Sequence, residues 1–174
     1  MIRFRPEDMR DYAAALLRGA GYTADHADRT AEILVWANER GADSHGVLRI
    51  PRYGEMVAQG LIDPVAAPKL ISQQGAVAVV EAAHAPGPSA MVVAMDQAID
   101  IAGRLGIGWC SARNITHAGA VGYFALRAAE RGYLGIVMTA SGPLMAYHGA
   151  RVAGVSTNPI SIAVPGRGLP LLLD

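Results

Sequence analysis

The chain has 174 residues, 52% of them hydrophobic and 17% charged, against about 25% charged in an average soluble protein. That much apolar side chain excludes intrinsic disorder, a single cysteine (Cys110) excludes a disulfide scaffold, and a net charge of zero argues against nucleic acid or a membrane surface as the main partner. The composition is that of a soluble, cytoplasmic, globular protein.

The first sixty residues read as helices. Pro6 stands where a first-turn proline belongs, Glu7 and Asp8 suit the N-terminal dipole, and Gly19 and Gly21 end the segment. Thr23 can cap a second helix that presents Ala27, Ala31 and Leu34 on one face and runs to Arg40. After the loop Gly41–Gly46, a third helix is expected over Val47–Gln59, with Pro51 in its first turn and Gly60 closing it.

From Pro64 the texture changes. Leu70–Ser72 and Ala76–Glu81 look like short strands around a Gln-Gly turn, and Ser89 is placed to cap a long amphipathic helix closing near Gly106. A buried strand is expected over Ile107–Cys110, then a helix over Tyr123–Glu130 and a strand over Leu134–Thr139. Two further strands, Ile160–Val164 and Leu169–Leu173, flank a Pro-Gly-Arg-Gly turn. The order predicts an α/β (α+β) protein: a helical segment over 1–63, then a mixed sheet with packed helices over 64–174. No leader-like or membrane-spanning apolar run is visible, and the last strand stops at Asp174 straight after an apolar run, as in a piece of something longer.

The familiar catalytic signatures are missing. There is no G-x-G-x-x-G, no Walker motif, no H-E-x-x-H and no Cys/His cluster at zinc spacing, so no metal site is expected. Lys69 is the only lysine among fifteen basic residues, which leaves little room for Schiff-base or P-loop chemistry. From Arg104 onward six arginines face two acids, Glu130 and Asp174, a balance that can serve an anionic ligand or merely a solvated surface.

Two loops carry chemistry. In Asp43-Ser44-His45-Gly46, with Arg49 just beyond, a helix start, Ser44, His45 and the Arg49 fork can converge on one anion; alternatively Ser44 is a simple cap. In Asn114-Ile115-Thr116-His117-Ala118-Gly119, a histidine lies among small residues between a strand and a helix, where a ligand has room. Histidine titrates near neutrality, so His117 can move the proton that accompanies hydride transfer at a carbonyl, or it can satisfy a local carbonyl. His26 falls on the polar side of its helix, His84 in a turn, and His148 has no evident partner. Ser156-Thr157-Asn158-Pro159 is a turn whose polar groups suit ribose or phosphate oxygens.

Taken together, SHGVLRIPRYGEMVAQGLI, THAGAVGYFALRAAERGYLGIVMTASGPLMAYHG, STNPISIAVPG and the final LLLD resemble the malate/L-lactate dehydrogenase type 2 family, in the family's order and over nearly the whole chain. The resemblance implies a non-Rossmann NAD(P)-binding fold, an NAD- or NADP-dependent oxidoreductase of 2-hydroxy acids, and a homodimer. It assigns His117 as catalytic acid/base, Arg49 as the holder of the substrate carboxylate with Ser44 and His45 beside it, and Ser141, Thr157, Asn158 and Asp174 as cofactor-lining. Tyr53 and Gly122 match pattern positions read as structural. The stretch from Ala82 to Pro88 is less Gly-rich than the pattern, and Ala140 stands where relatives often carry a polar residue. Family members continue well past the LLLD segment, so the chain reads as an N-terminal portion. A second reading stands beside the enzyme: a non-catalytic piece that keeps the fold without a complete cofactor site.

Overall fold

A computed structural model describes residues 4–174. By contact the chain forms two compact units, Met1–Ala120 and Val121–Asp174. Residues 63–66 fold back onto the helical segment, where Thr23 donates its N–H to Pro64 O at 3.4 Å.

In the first unit, helix α1 (Pro6–Gly19) packs on α2 (Ala24–Glu39). Ala13, Ala14, Ala27 and Ala31 let the two backbones approach, and Leu17, Leu34, Tyr22, Ile50, Tyr53 and Ile62 complete the buried cluster. Thr23 caps α2, accepting from the His26 N–H at 3.3 Å. The third expected helix is broken at its start: two short 3-10 turns, Asp43–His45 and Val47–Arg49, precede α3 (Ile50–Ala58), with Pro51 in its first turn. A proline there forfeits no intrahelical bond, since first-turn N–H groups have no partner anyway.

Strands β1 (Lys69–Gln74), β2 (Val77–Glu81) and β3 (Trp109–Arg113) form one sheet in that order. β1 and β2 are an antiparallel hairpin, whereas β3 runs parallel to β2 after the crossover through α4 (Gly87–Leu105). Helix α4 closes on Gly106 in the left-handed conformation. Three expectations need correcting. Ser89 is not the cap of α4: the helix starts two residues earlier, and the Ser89 hydroxyl is buried within the first turn. The strand expected at Ile107–Cys110 begins at Trp109 and is not buried, because β3 is an edge strand and Trp109 remains 50% exposed. His26 is not on a polar face; the returning 63–66 segment covers it, and its Nε2 meets Ala66 O at 2.9 Å.

The second unit is an antiparallel sheet, β4 (Gly135–Met138), β5 (Ile160–Val164) and β6 (Leu171–Leu173), with α5 (Gly122–Ala129) on one face. The single mixed sheet that was expected is therefore two small sheets, one mixed and one antiparallel. Gly135, Val137, Ser161 and Ala163 turn inward under α5, and Ile136, Met138, Ile160, Val164, Leu171 and Leu173 lie exposed on the other face. Among the described residues no helix is long and apolar enough to cross a membrane.

Candidate functional site

The first loop is held by the end of α2. Asn38 accepts the Val47 N–H at 2.9 Å through Oδ1 and donates to Asp43 Oδ1 at 2.5 Å through Nδ2, so one amide clamps both ends of the 43–47 segment. Gly46 fits because its missing side chain leaves the space that Asn38 fills. Within this frame Ser44 Oγ and His45 Nδ1 share a hydrogen bond of 3.0 Å, and Arg49 donates through Nε to Ser44 O at 2.6 Å. That bond fixes the base of the guanidinium and leaves its two terminal amino groups as the forked donor pair suited to a carboxylate.

The second loop is stitched to the segment that leads into α4. Asn114 has a positive φ of 52°, and its side chain donates to both carboxylate oxygens of Glu81, at 3.0 and 3.1 Å. Arg113 Nε and Ala83 N also donate to that carboxylate, at 2.6 and 2.9 Å. These donors stabilise the ionised form, the backbone bond from Ala83 most, and hold the Glu81 carboxyl below its usual range. Thr116 Oγ1 donates to Ala85 O at 3.0 Å and accepts the Gly87 N–H at 2.9 Å. His117 follows directly, so its backbone is tied to a rigid helix start.

These two loops bring together residues more than sixty positions apart. The His45 and His117 rings stack with centroids 5.6 Å apart and an interplanar angle of 27°. His117 Nδ1 shares a 2.8 Å hydrogen bond with Tyr53 Oη, and the two rings are tilted at 49°. Burial first, then the positive charge of Arg49 and then His45, push the His117 pKa down to about 4. His117 is therefore a neutral imidazole at neutral pH, with Nε2 as the ring nitrogen not engaged by Tyr53. Arg49 also acts on the Tyr53 phenol, but burial dominates and raises that pKa above its ordinary value. A half-buried neutral base beside a guanidinium fork can bind a carboxylate and accept a proton near it.

The family resemblance groups Ser44, His45, Arg49 and His117 in one site and reads Tyr53 as structural, and nothing in the sequence singles out Asn38. Tyr53 had a usable signal, since it lies four residues after Arg49 and so shares its helix face. Asn38 had none, because its role exists only once α2 meets the loop. His84 sits exposed in its turn with φ 61°, and His148 is exposed in the long β4–β5 connection.

The remaining site candidates belong to the second unit. Ser141 Oγ shares a 2.5 Å hydrogen bond with Ser156 Oγ, and Thr139 donates its N–H to Pro159 O at 3.2 Å, so Ser141, Thr157 and Asn158 gather where β4 ends and β5 begins. Asn158 takes a positive φ of 40°. Asp174 reaches the same end of the sheet: Ser161 holds Leu173 O at 2.9 Å, and the Asp174 carboxylate lies against Gly122, at the start of α5, where negative charge is favoured. Two hydroxyls, an amide and a carboxylate suit ribose hydroxyls and a carboxamide; none of the four is a cation for phosphate. Among the described residues no group of three or more His, Cys, Asp or Glu side chains is arranged to hold a metal.

The sequence profile of the malate/L-lactate dehydrogenase family matches residues 4–174. The chain is 36% identical over 173 residues to a malate dehydrogenase of Pyrococcus abyssi, covering 99% of this chain and 48% of that protein. It is 34% identical to a 2,3-diketo-L-gulonate reductase of Salmonella typhimurium, covering 95% and 50%. Among solved structures, the malate dehydrogenase of Pyrococcus horikoshii superposes with a TM-score of 0.93 at 35% identity, over 99% of this chain and 49% of that one. The sulfolactate dehydrogenase of Methanocaldococcus jannaschii superposes at 0.92 and 31%, over 99% and 50%. The chain thus spans about half the length of the relatives it matches.

Proposed function

The chain belongs to the malate/L-lactate dehydrogenase family, and from that premise we propose that it serves as an NAD- or NADP-dependent oxidoreductase of small 2-hydroxy and 2-oxo acids. The observation that carries the proposal is the meeting of the Arg49 fork with the stacked His45 and His117 rings. Arg49 holds the substrate carboxylate with two parallel hydrogen bonds, and Ser44 and His45 line the same pocket. In the oxidative direction neutral His117 takes the hydroxyl proton as the carbonyl forms; in the reductive direction its protonated form returns that proton to the carbonyl oxygen.

Arg49 links binding to this proton transfer. Its charge disfavours protonated His117 in the free protein, and a carboxylate bound to the fork offsets that charge. Substrate binding therefore raises the His117 pKa toward the range in which it works in both directions. A nicotinamide cofactor, when bound, supplies or takes up the hydride at C2. When such a cofactor is bound, Ser141, Thr157, Asn158 and Asp174 of the second unit would hold its neutral hydroxyl and carboxamide groups.

The half-length match favours a second reading, a non-catalytic piece of the same fold. Titration of the folded chain with NADH and NADPH, read by nicotinamide fluorescence and followed by turnover of a panel of 2-oxo acids, separates the two. Saturable binding with turnover is expected; a folded chain that reduces no 2-oxo acid with either cofactor overturns the enzyme reading.

A further inference from the structure

Proton transfer uses one nitrogen of His117, and the ring must be held for that nitrogen to face the substrate. Resting on that functional reading, we propose that Tyr53 is a positioning residue for His117: its hydroxyl engages Nδ1, fixes one tautomer of the neutral ring and commits Nε2 to proton transfer.

The geometry is specific. Tyr53 is 2% exposed and belongs to the core cluster formed by α1, α2 and α3, so its hydroxyl is carried by a packed element and not by a loop. The Oη–Nδ1 distance is 2.8 Å. The bond spans 64 positions of sequence and joins the helix that follows Arg49 to the loop that carries His117. Arg49 and Tyr53 are one helical turn apart at the start of α3, so the group that takes the carboxylate and the group that orients the base are set by one rigid segment.

The chemistry of the partner matters as much as the distance. A carboxylate at Nδ1 would stabilise the imidazolium and raise the histidine pKa; a phenol is neutral and does not. Burial keeps the Tyr53 phenol protonated and uncharged. For Nε2 to take a proton the neutral ring must carry its hydrogen on Nδ1, and that Nδ1–H donates to the Tyr53 oxygen; the same bond persists when Nε2 is protonated. Tyr53 thus holds the ring in place through both protonation states without adding a negative charge that would raise its pKa.

The experiment is nitrogen NMR of the full chain labelled with ¹⁵N-histidine, at pH 7, for wild type and Tyr53→Phe. Wild type is expected to show His117 as a single tautomer, with one pyrrole-like and one pyridine-like nitrogen. The Phe variant keeps the packing and is expected to show the two nitrogens drawn together by tautomer averaging. In turnover of a 2-oxo acid it should lose roughly 10- to 100-fold in kcat, as for a misplaced catalytic group, with cofactor KM unchanged. Tautomer averaging already present in wild type overturns the proposal, and so does an unchanged spectrum or an unchanged kcat in a folded Phe variant. The wild-type spectrum decides the matter should the variant fail to fold. Full activity in His117→Ala would instead sink the acid/base reading, whatever the tautomer.

Discussion

Gly87 lies against the carbonyl of His117. A Cβ at Gly87 would meet that carbonyl inside van der Waals contact and would lie only 2.8 Å from Thr116 O. The first turn of α4 and the histidine loop are therefore packed backbone to backbone, and the missing side chain is what permits the Gly87 N–H to reach Thr116 Oγ1. A helix start has unpaired N–H groups to offer, and here one of them is spent on positioning a functional loop.

Gly87→Ala should therefore destabilise the chain by about 1–3 kcal/mol, the usual cost of overpacking against atoms that cannot move aside. Gly54→Ala is the control: a Cβ there meets nothing within 4 Å, and in mid-helix it should be neutral or stabilising by up to about 1 kcal/mol. Urea denaturation of both variants checks the contrast. Equal midpoints would remove the argument for a tight Gly87–His117 contact.

Asn38→Ala leaves the buried side of the Val47 N–H without its acceptor and frees Asp43. The expected cost is about 1–3 kcal/mol. Because the loop it releases carries Ser44, His45 and Arg49, the KM for a 2-oxo acid should rise while cofactor binding stays as it was. Steady-state kinetics with each ligand varied in turn gives the answer; an effect confined to the cofactor would place Asn38 outside the substrate loop.

Arg49→Lys keeps the charge and removes the fork. It also removes the Nε bond to Ser44 O, so the ammonium is neither anchored nor bidentate. KM for the carboxylate substrate should rise and kcat should fall, with kcat/KM down by tenfold or more, corresponding to at least about 1.4 kcal/mol of lost transition-state binding. An unchanged kcat/KM would show that the substrate carboxylate lies elsewhere.

The depressed pKa of His117 has a consequence for stability. Between about 4, its value in the fold, and the ordinary 6.5, the unfolded chain binds a proton that the folded chain does not. Stability from this residue is complete above pH 6.5 and declines as pH falls toward 4. Urea midpoints of wild type should fall more steeply than those of His117→Gln across that window. Parallel curves would mean that the ring is not buried as a neutral base.

Much of this was legible in the chain itself. Periodicity and punctuation located α1 and α2 almost to the residue, because Pro6, Thr23, Gly19 and Gly41 are local signals that act within one helical turn. The strand Ile160–Val164 was found at its observed bounds for the same reason: a β-rich run between two proline-bearing turns. Ser89 shows the limit. It had the right chemistry for a cap, but Thr116 supplies the contact that starts α4 two residues earlier, and Thr116 is 29 positions from Gly87.

The sequence by itself determined most of the elements, the absence of the familiar phosphate-binding and metal-binding motifs, and the residue types able to bind a carboxylate and move a proton. It determined these because capping, periodicity and side-chain chemistry are properties of short stretches. Only the tertiary structure decided that His45 stacks on His117, that Asn38 clamps the loop of Arg49, and that Tyr53 meets Nδ1. Each of those contacts joins residues brought together by packing of α2, α3 and the loop before α5, and no local preference encodes a distance across a fold.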